Sequence, residues 1–110
     1  MKGERLGEFE ELTLLAVLAL GDAAYGVPVQ ELIEREAGRE VTLGAVYAAL
    51  ERMERKGLLA SRFGEAVAER GGKRRRLFAV TEPGLRVLHE TRRAREALWN
   101  AVPRSIRSRP

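Results

Sequence analysis

The sequence predicts a mainly α-helical domain carrying one two-stranded β-hairpin, in the order helix, helix, helix, strand, strand, helix. Three observations predict it. Before Gly57 an apolar segment, Leu12–Leu20, is followed by two segments with apolar residues at helical spacing, a short apolar run at Leu77–Val80 follows a Gly71-Gly72 pair, and apolar residues return to helical spacing after Thr81. Three helices followed by a hairpin is the winged helix-turn-helix plan, with the second and third helices forming the helix-turn-helix and the hairpin forming the wing. At 110 residues the chain has the length of one domain, and its 45% hydrophobic and 33% charged content fits a folded protein rather than a disordered one.

The first helix is expected over Glu8–Leu20. Glu8, Glu10 and Glu11 lie in its first turn, where carboxylates suit the positive end of the helix dipole, and Gly21-Asp22 ends it. From Leu12 to Leu20 only Thr13 is polar, so this helix is apolar nearly all round instead of along one stripe. Either its own domain buries it or a second subunit covers the remainder, with Leu12 and Leu15 as the candidate contacts. The second helix, Val27–Ala37, turns Val29, Leu32 and Ile33 inward, tolerates Pro28 in its first turn and stops at Gly38. The third, Thr42–Lys56, starts at Thr42, whose hydroxyl can accept a hydrogen bond from a free backbone amide. Leu43, Val46, Leu50 and Met53 then face the core, and Gly57 stops the helix.

Leu58–Gly64 and Arg74–Val80 read as strands, with Phe78 and Val80 inward and Leu77 and Ala79 opposite. The connection between them is too long for a two-residue turn. Thr81 caps a fourth helix running from Glu82 to about Asn100, Pro83 sits in its first turn, and Pro103 ends it. Arg104–Pro110 is expected to be a frayed tail. Along the fourth helix Leu88, Thr91, Arg95, Leu98 and Val102 alternate three- and four-residue spacings, an imperfect seam for a partner helix. Trp99, the single tryptophan, reads as dimer packing or as one wall of an aromatic ligand pocket at the dimer junction.

The formal net charge of +4 is mild, and the placement of the charge says more. Arg70–Arg76 holds five basic groups in seven positions, including Lys73, Arg74 and Arg75. On a hairpin, such a run suits a DNA backbone or minor groove, where each group displaces a counterion; the plainer reading is a solvated charge run. With its core face assigned, the third helix turns Gly44, Ala45, Ala48, Glu51, Arg52 and Arg55 outward, with Tyr47 at the boundary. The small residues let a helix approach the floor of a major groove. Tyr47 can hydrogen-bond a phosphate, and Arg52 can reach a phosphate or a guanine edge. The competing reading pairs Arg52 and Arg55 with Glu51 and Glu54.

Several function classes find no support. With no cysteine there is no disulfide, thiolate metal site or thiol nucleophile, and a single histidine, His89, cannot form a metal-binding pair. The serines lack a base nearby in the pattern, and the glycines match no phosphate-cradling loop. No catalytic set, metal or cofactor is expected. The N-terminus is charged, and the longest apolar run, Leu14–Leu20, falls well short of the roughly 20 residues that span a bilayer. A cytoplasmic protein with no membrane partner is expected.

Several segments, in order and with compatible spacing, resemble the PadR family of bacterial transcription regulators. They are Leu6-Gly7-Glu8-Phe9-Glu10-Glu11-Leu12, Ala24-Tyr25-Gly26, Leu43-Gly44-Ala45-Val46-Tyr47 with Leu50 and Arg52, Lys56-Gly57-Leu58, Arg70-Gly71-Gly72, Arg74-Arg75, and Leu77 through Gly84. The resemblance implies a homodimeric repressor that binds double-stranded DNA and dimerises through its C-terminal helix, with help from the first. It also implies that Tyr47 and its neighbours contact DNA, that Arg74 and Arg75 are wing contacts, and that a small hydrophobic or aromatic effector can bind near the dimer interface. Only one helix follows the wing, which confines any effector to a groove between subunits. The expected boundaries are residues 1–81 for the DNA-binding domain, 82–103 for the dimerisation helix and 104–110 for the basic tail. The DNA-binding residues expected are Thr42, Gly44, Ala45, Tyr47, Ala48, Arg52, Lys73, Arg74 and Arg75. The expected dimer contacts are Leu12, Leu15, Leu88, Leu98, Trp99 and Val102, with Trp99 also the candidate ligand contact. A ligand-sensing regulator and a winged-helix protein-interaction module that does not touch DNA are the alternatives.

Overall fold

The computed structural model describes residues 6–66, 71 and 74–110. Its first helix, α1 (Glu8–Leu20), touches most of the other elements. A 3₁₀ turn at Gly21–Ala23 leads into α2 (Gly26–Ala37) and α3 (Leu43–Arg55), followed by an antiparallel hairpin of β1 (Leu59–Ala66) and β2 (Arg74–Val80). The long α4 (Glu82–Ala101) and a single turn, α5 (Arg104–Arg107), complete the chain. The order of elements is that of a winged helix-turn-helix, as the periodicity predicts.

The buried residues explain why these segments pack as they do. Leu14 and Val17 of α1 meet Val29 and Ile33 of α2 and Val46, Leu50 and Met53 of α3, and the hairpin closes this core with Leu58, Leu59 and Phe78. Ala49 is buried among them, although its small side chain gives little periodic signal, whereas Leu43 is only partly covered. Thr13, the one polar residue in the apolar stretch of α1, is fully buried. Its hydroxyl donates to the Phe9 carbonyl at 2.8 Å, so the burial leaves no polar group unpaired. The opposite side of α1 is uncovered, with Leu15 and Leu18 exposed.

The hairpin is registered against the helices at both ends. Leu59 pairs with Val80 and Phe63 with Arg76, and the register shifts between Phe63 and Ala66. The Phe78 amide donates to the Ala24 carbonyl at 2.8 Å, which ties β2 to the turn before α2. At the other end Thr81 caps α4 through the Gly84 amide, and its hydroxyl also donates to the Gly57 carbonyl at 2.7 Å. Gly84 is required there, because a β-carbon would overlap the Leu58 carbonyl oxygen.

Two departures from the sequence reading have physical causes. β1 extends to Ala66, two residues past Gly64, because the register shift lets pairing continue. The tail does not simply fray. Pro103 cannot continue α4, but its fixed φ starts a new turn, and the Arg107 guanidinium donates back to the Val102 carbonyl at 3.3 Å.

Only the first half of α4 packs into the core, and beyond it Arg95 bonds Glu11 of α1 at 2.8 Å. Leu88 is 6% exposed, but almost every side chain from His89 to Ala101 is exposed. The radius of gyration is 16.2 Å, against about 13 Å for a compact domain of this length. α4 therefore projects from the core with Leu98 70% and Trp99 60% exposed.

Glu10 joins α1 to α3. It is 8% exposed, and its carboxylate accepts from the Gly7 amide at 3.1 Å, from Arg52 Nε at 2.8 Å and from Lys56 Nζ at 3.2 Å. Burial alone pushes the carboxyl pKa up, but the hydrogen bonds from Arg52, the Gly7 amide and Lys56 together outweigh it and hold the group below its ordinary 4.5. A carboxyl whose pKa is lower when folded binds fewer protons in the folded state. Its contribution is therefore present at neutral pH and is lost as pH falls below the ordinary carboxylate range. Urea titrations should show Glu10→Gln destabilised at pH 7, with the gap to wild type closing as pH falls through 4.5. A gap that stays constant across that range would show that the carboxylate is not held as an ion.

Candidate nucleic-acid interface

The outer face of α3 is built as its spacing predicts. Gly44, Ala45, Tyr47, Ala48, Glu51 and Arg55 are exposed, opposite buried Val46, Leu50 and Met53. Thr42 lies just before the helix, and its hydroxyl accepts from the Ala45 amide at 3.0 Å. Gly44 has open space around it, and with Ala45 and Ala48 it leaves a smooth strip on the exposed side. Tyr47 packs across the start of α2, where a β-carbon on Gly26 would overlap its ring. Gly26 therefore sets the close approach of the two helices of the helix-turn-helix.

Arg52 is not a free side chain on that face. It is half-buried and bonded to Glu10, not to Glu51 or Glu54. Among the described residues Arg55 has no ion pair.

The basic run of the hairpin divides into groups of different character. Arg74 and Arg75 are exposed, and neither has an ion pair among the described residues. Arg75 lies over the Tyr25 ring, 4.5 Å from its centroid. Arg76 turns the other way. Its guanidinium bonds Glu51 at 2.7 Å, Glu54 and the Ser61 hydroxyl, and it lies over the Phe78 ring. The hydrogen bond to Glu51, and then those to Glu54, raise the Arg76 pKa. In turn the Ser61 hydroxyl, donating at 2.7 Å, and Arg76 lower that of Glu54. This cluster clamps the base of the wing to α3 and sets one positive charge against two carboxylates beside the exposed face. Lys73 lies outside the described residues.

Tyr25, Val27, Tyr47, Arg75 and Arg76 line one cleft of about 280 Å³ between the helix-turn-helix and the wing. Among the described residues no cluster of His, Cys, Asp or Glu could hold a metal ion, and no helix is long and apolar enough to cross a membrane.

The family model of PadR-like transcriptional regulators matches residues 14–90. The chain belongs to the PadR-like family. Solved structures agree on the fold. A PadR-like transcription factor from Bacteroides fragilis superposes with a TM-score of 0.71 at 23% identity, covering 86% of this chain and 85% of that one. A PadR family regulator from Eggerthella lenta gives 0.65 at 28% identity, with 93% and 88% coverage. Bacillus subtilis PadR, solved in complex with operator DNA, gives 0.62 at 16% identity, over 76% of this chain and 47% of that longer one. No curated protein is significantly similar in sequence.

In this PadR-like chain the residues expected at a dimer contact fall into two groups. Leu88 belongs to the chain's own core, which leaves little of it for a partner. Leu98 and Trp99 are open to solvent, and with Arg95 and Val102 they line a shallow, mostly apolar cleft of about 230 Å³, while Trp99 also borders a second open cleft of about 440 Å³ with Arg104, Arg107 and Ser108. Leu12 and Leu15 line an apolar groove of about 440 Å³ between α1 and α2, with Ala16, Ala19, Leu32 and Ile33. Reading the sequence alone missed three contributors to the interface region. Glu10 and Arg76 act through partners far away in sequence, and Tyr25, although within the family segment Ala24-Tyr25-Gly26, gave no periodic signal.

The clamp predicts a specific coupling. In urea unfolding, Arg76→Met and Glu54→Gln should each destabilise the PadR-like fold by about 1 kcal/mol, discounted for partial exposure. The double variant should lose clearly less than the sum. Full additivity would mean that the ion pair contributes nothing in solution.

Proposed function

We propose that this PadR-like chain is a homodimeric, sequence-specific DNA-binding repressor of the cytoplasm. In this reading α3 enters the major groove and the wing lies on the backbone or in the minor groove. One observation carries it: Tyr47 of α3 and Arg75 of the wing line the same cleft, so the smooth face of α3 and the unpaired arginines are parts of one continuous surface. On that surface Thr42, Gly44, Ala45, Tyr47, Ala48, Arg74 and Arg75 are the proposed DNA contacts, and Lys73, which precedes Arg74 in the sequence, is proposed with them. Arg52 serves in this reading by orienting α3 through Glu10. Residues 1–81 are the proposed DNA-binding unit and 82–103 the dimerisation helix. Exposed apolar side chains on α4 and α1 support the dimer, because isolated domains rarely leave such surface open to water. Two copies would meet half-sites one helical turn apart, about 34–36 Å.

Fluorescence anisotropy at several salt concentrations tests the DNA reading, using the fragment immediately upstream of the protein's own gene and a scrambled control. The upstream fragment should bind roughly a thousandfold tighter, with affinity falling as salt rises. No binding to either duplex at low salt would leave the protein-interaction module as the better reading. Sedimentation equilibrium tests the dimer. Leu98→Glu should shift a dimer to monomer while far-ultraviolet circular dichroism stays unchanged. A Leu98→Glu protein that remains dimeric removes the distal part of α4 from the interface.

A further inference from the structure

The cleft between the helix-turn-helix and the wing has the chemistry of a defined anion seat. Its lining contains two phenols, Tyr25 and Tyr47, and two guanidiniums, Arg75 and Arg76. The two arginines are not equivalent. Arg76 is taken up by Glu51 and Glu54, a group with one net negative charge, so it fixes the wall of the cleft and leaves the attraction of an anion to Arg75. Arg75 has neither an ion pair nor a hydrogen bond among the described residues, and the Tyr25 ring holds it by its face. A guanidinium stacked on an aromatic ring keeps its N–H edge free, and that planar edge matches two oxygens of a phosphate. Neither phenol hydroxyl makes a hydrogen bond among the described residues. Tyr47 is held against Gly26, where no β-carbon would fit, so its hydroxyl stays at the cleft.

We infer that this cleft seats a single backbone phosphodiester of the bound duplex. Arg75 supplies the charge-assisted hydrogen bonds, and the hydroxyls of Tyr25 and Tyr47 are neutral donors. The inference rests on the DNA-binding reading and adds Tyr25 to it as a contact. Because α3 and the wing form opposite walls, the phosphate held here lies between the groove read by α3 and the stretch met by the wing. Seating it sets the register of one relative to the other.

The experiment is phosphate-ethylation interference with the full chain, on the duplex that the wild-type protein selects from a random-sequence pool. One phosphate per half-site should weaken wild-type binding about tenfold when ethylated. The same lesion should have no further effect on Arg75→Met, which should already bind about tenfold more weakly. The salt slope of Arg75→Met should fall by about 1 per half-site. Tyr25→Phe keeps the stack and should lose a few-fold through its hydroxyl alone, and Tyr25→Leu should lose more. If Tyr25→Leu folds poorly, Tyr25→Phe and Arg75→Met decide the matter. Ethylation that affects Arg75→Met and wild type alike at every position overturns the inference while leaving DNA binding intact. Failure to select any duplex overturns the DNA-binding reading, and the inference falls with it.

Discussion

A carboxylate taken out of water costs several kcal/mol unless it is paired and hydrogen-bonded, and Glu10 meets that condition with groups from two helices. The Gly7 amide comes from the start of its own helix, and Arg52 and Lys56 come from the end of α3. The pairing works only if α3 lies at one angle and one depth against α1. The apolar contacts of Leu14 and Val17 with Val46, Leu50 and Met53 hold the helices together, but such contacts tolerate small slides. The charged contact adds directional hydrogen bonds from α3 to a buried carboxylate of α1. The pose of the candidate recognition helix follows from Glu10, and the wing follows from the helix, because Arg76 joins β2 to Glu51 and Glu54 on α3.

This arrangement sorts the basic residues by task, which net charge does not reveal. Arg52, Lys56 and Arg76 are matched by carboxylates inside the domain, while Arg55, Arg74 and Arg75 have no such partner among the described residues. A DNA-binding surface needs both kinds. Unmatched cations release counterions from the duplex, and matched ones hold the elements at the spacing of the grooves. Glu51 and Glu54 on α3 would repel phosphates if left bare. With Arg76 beside them, the same carboxylates become part of the scaffold.

How much of this was legible in the sequence depends on the range of the interaction concerned. Local rules gave the elements: Thr42 and Thr81 as caps, Pro83 in a first turn, and the alternation that buries Phe78. The smooth strip of Gly44, Ala45 and Ala48 also followed from spacing, because burial of Val46 and Leu50 leaves those positions no other side to face. The partners of Arg52 and Arg76 did not follow. Helical spacing offers Arg52 no acidic neighbour three or four positions away, and its partner, Glu10, lies 42 residues away on another helix. Arg76 reads as one of five wing cations until the hairpin register sets it opposite Phe63 and within reach of α3. Tyr25 lies before α2 in extended backbone, outside any periodic pattern, so only its meeting with Arg75 marks it.

The same helix that orients α3 also touches α4, and this joins the proposed dimer seam to the proposed DNA surface. Glu11 bonds Arg95 of α4 at 2.8 Å, next to the residue that bonds α3. Adjacent residues on a helix point about 100° apart, so α1 stands between the two contacts as a short rigid spacer. Its remaining face, with Leu12 and Leu15, borders the open apolar groove against α2. Through Glu10 and Glu11, α1 is tied to α3 and to α4 at adjacent positions, on sides other than the groove. The connection runs through two neighbouring glutamates on one helix.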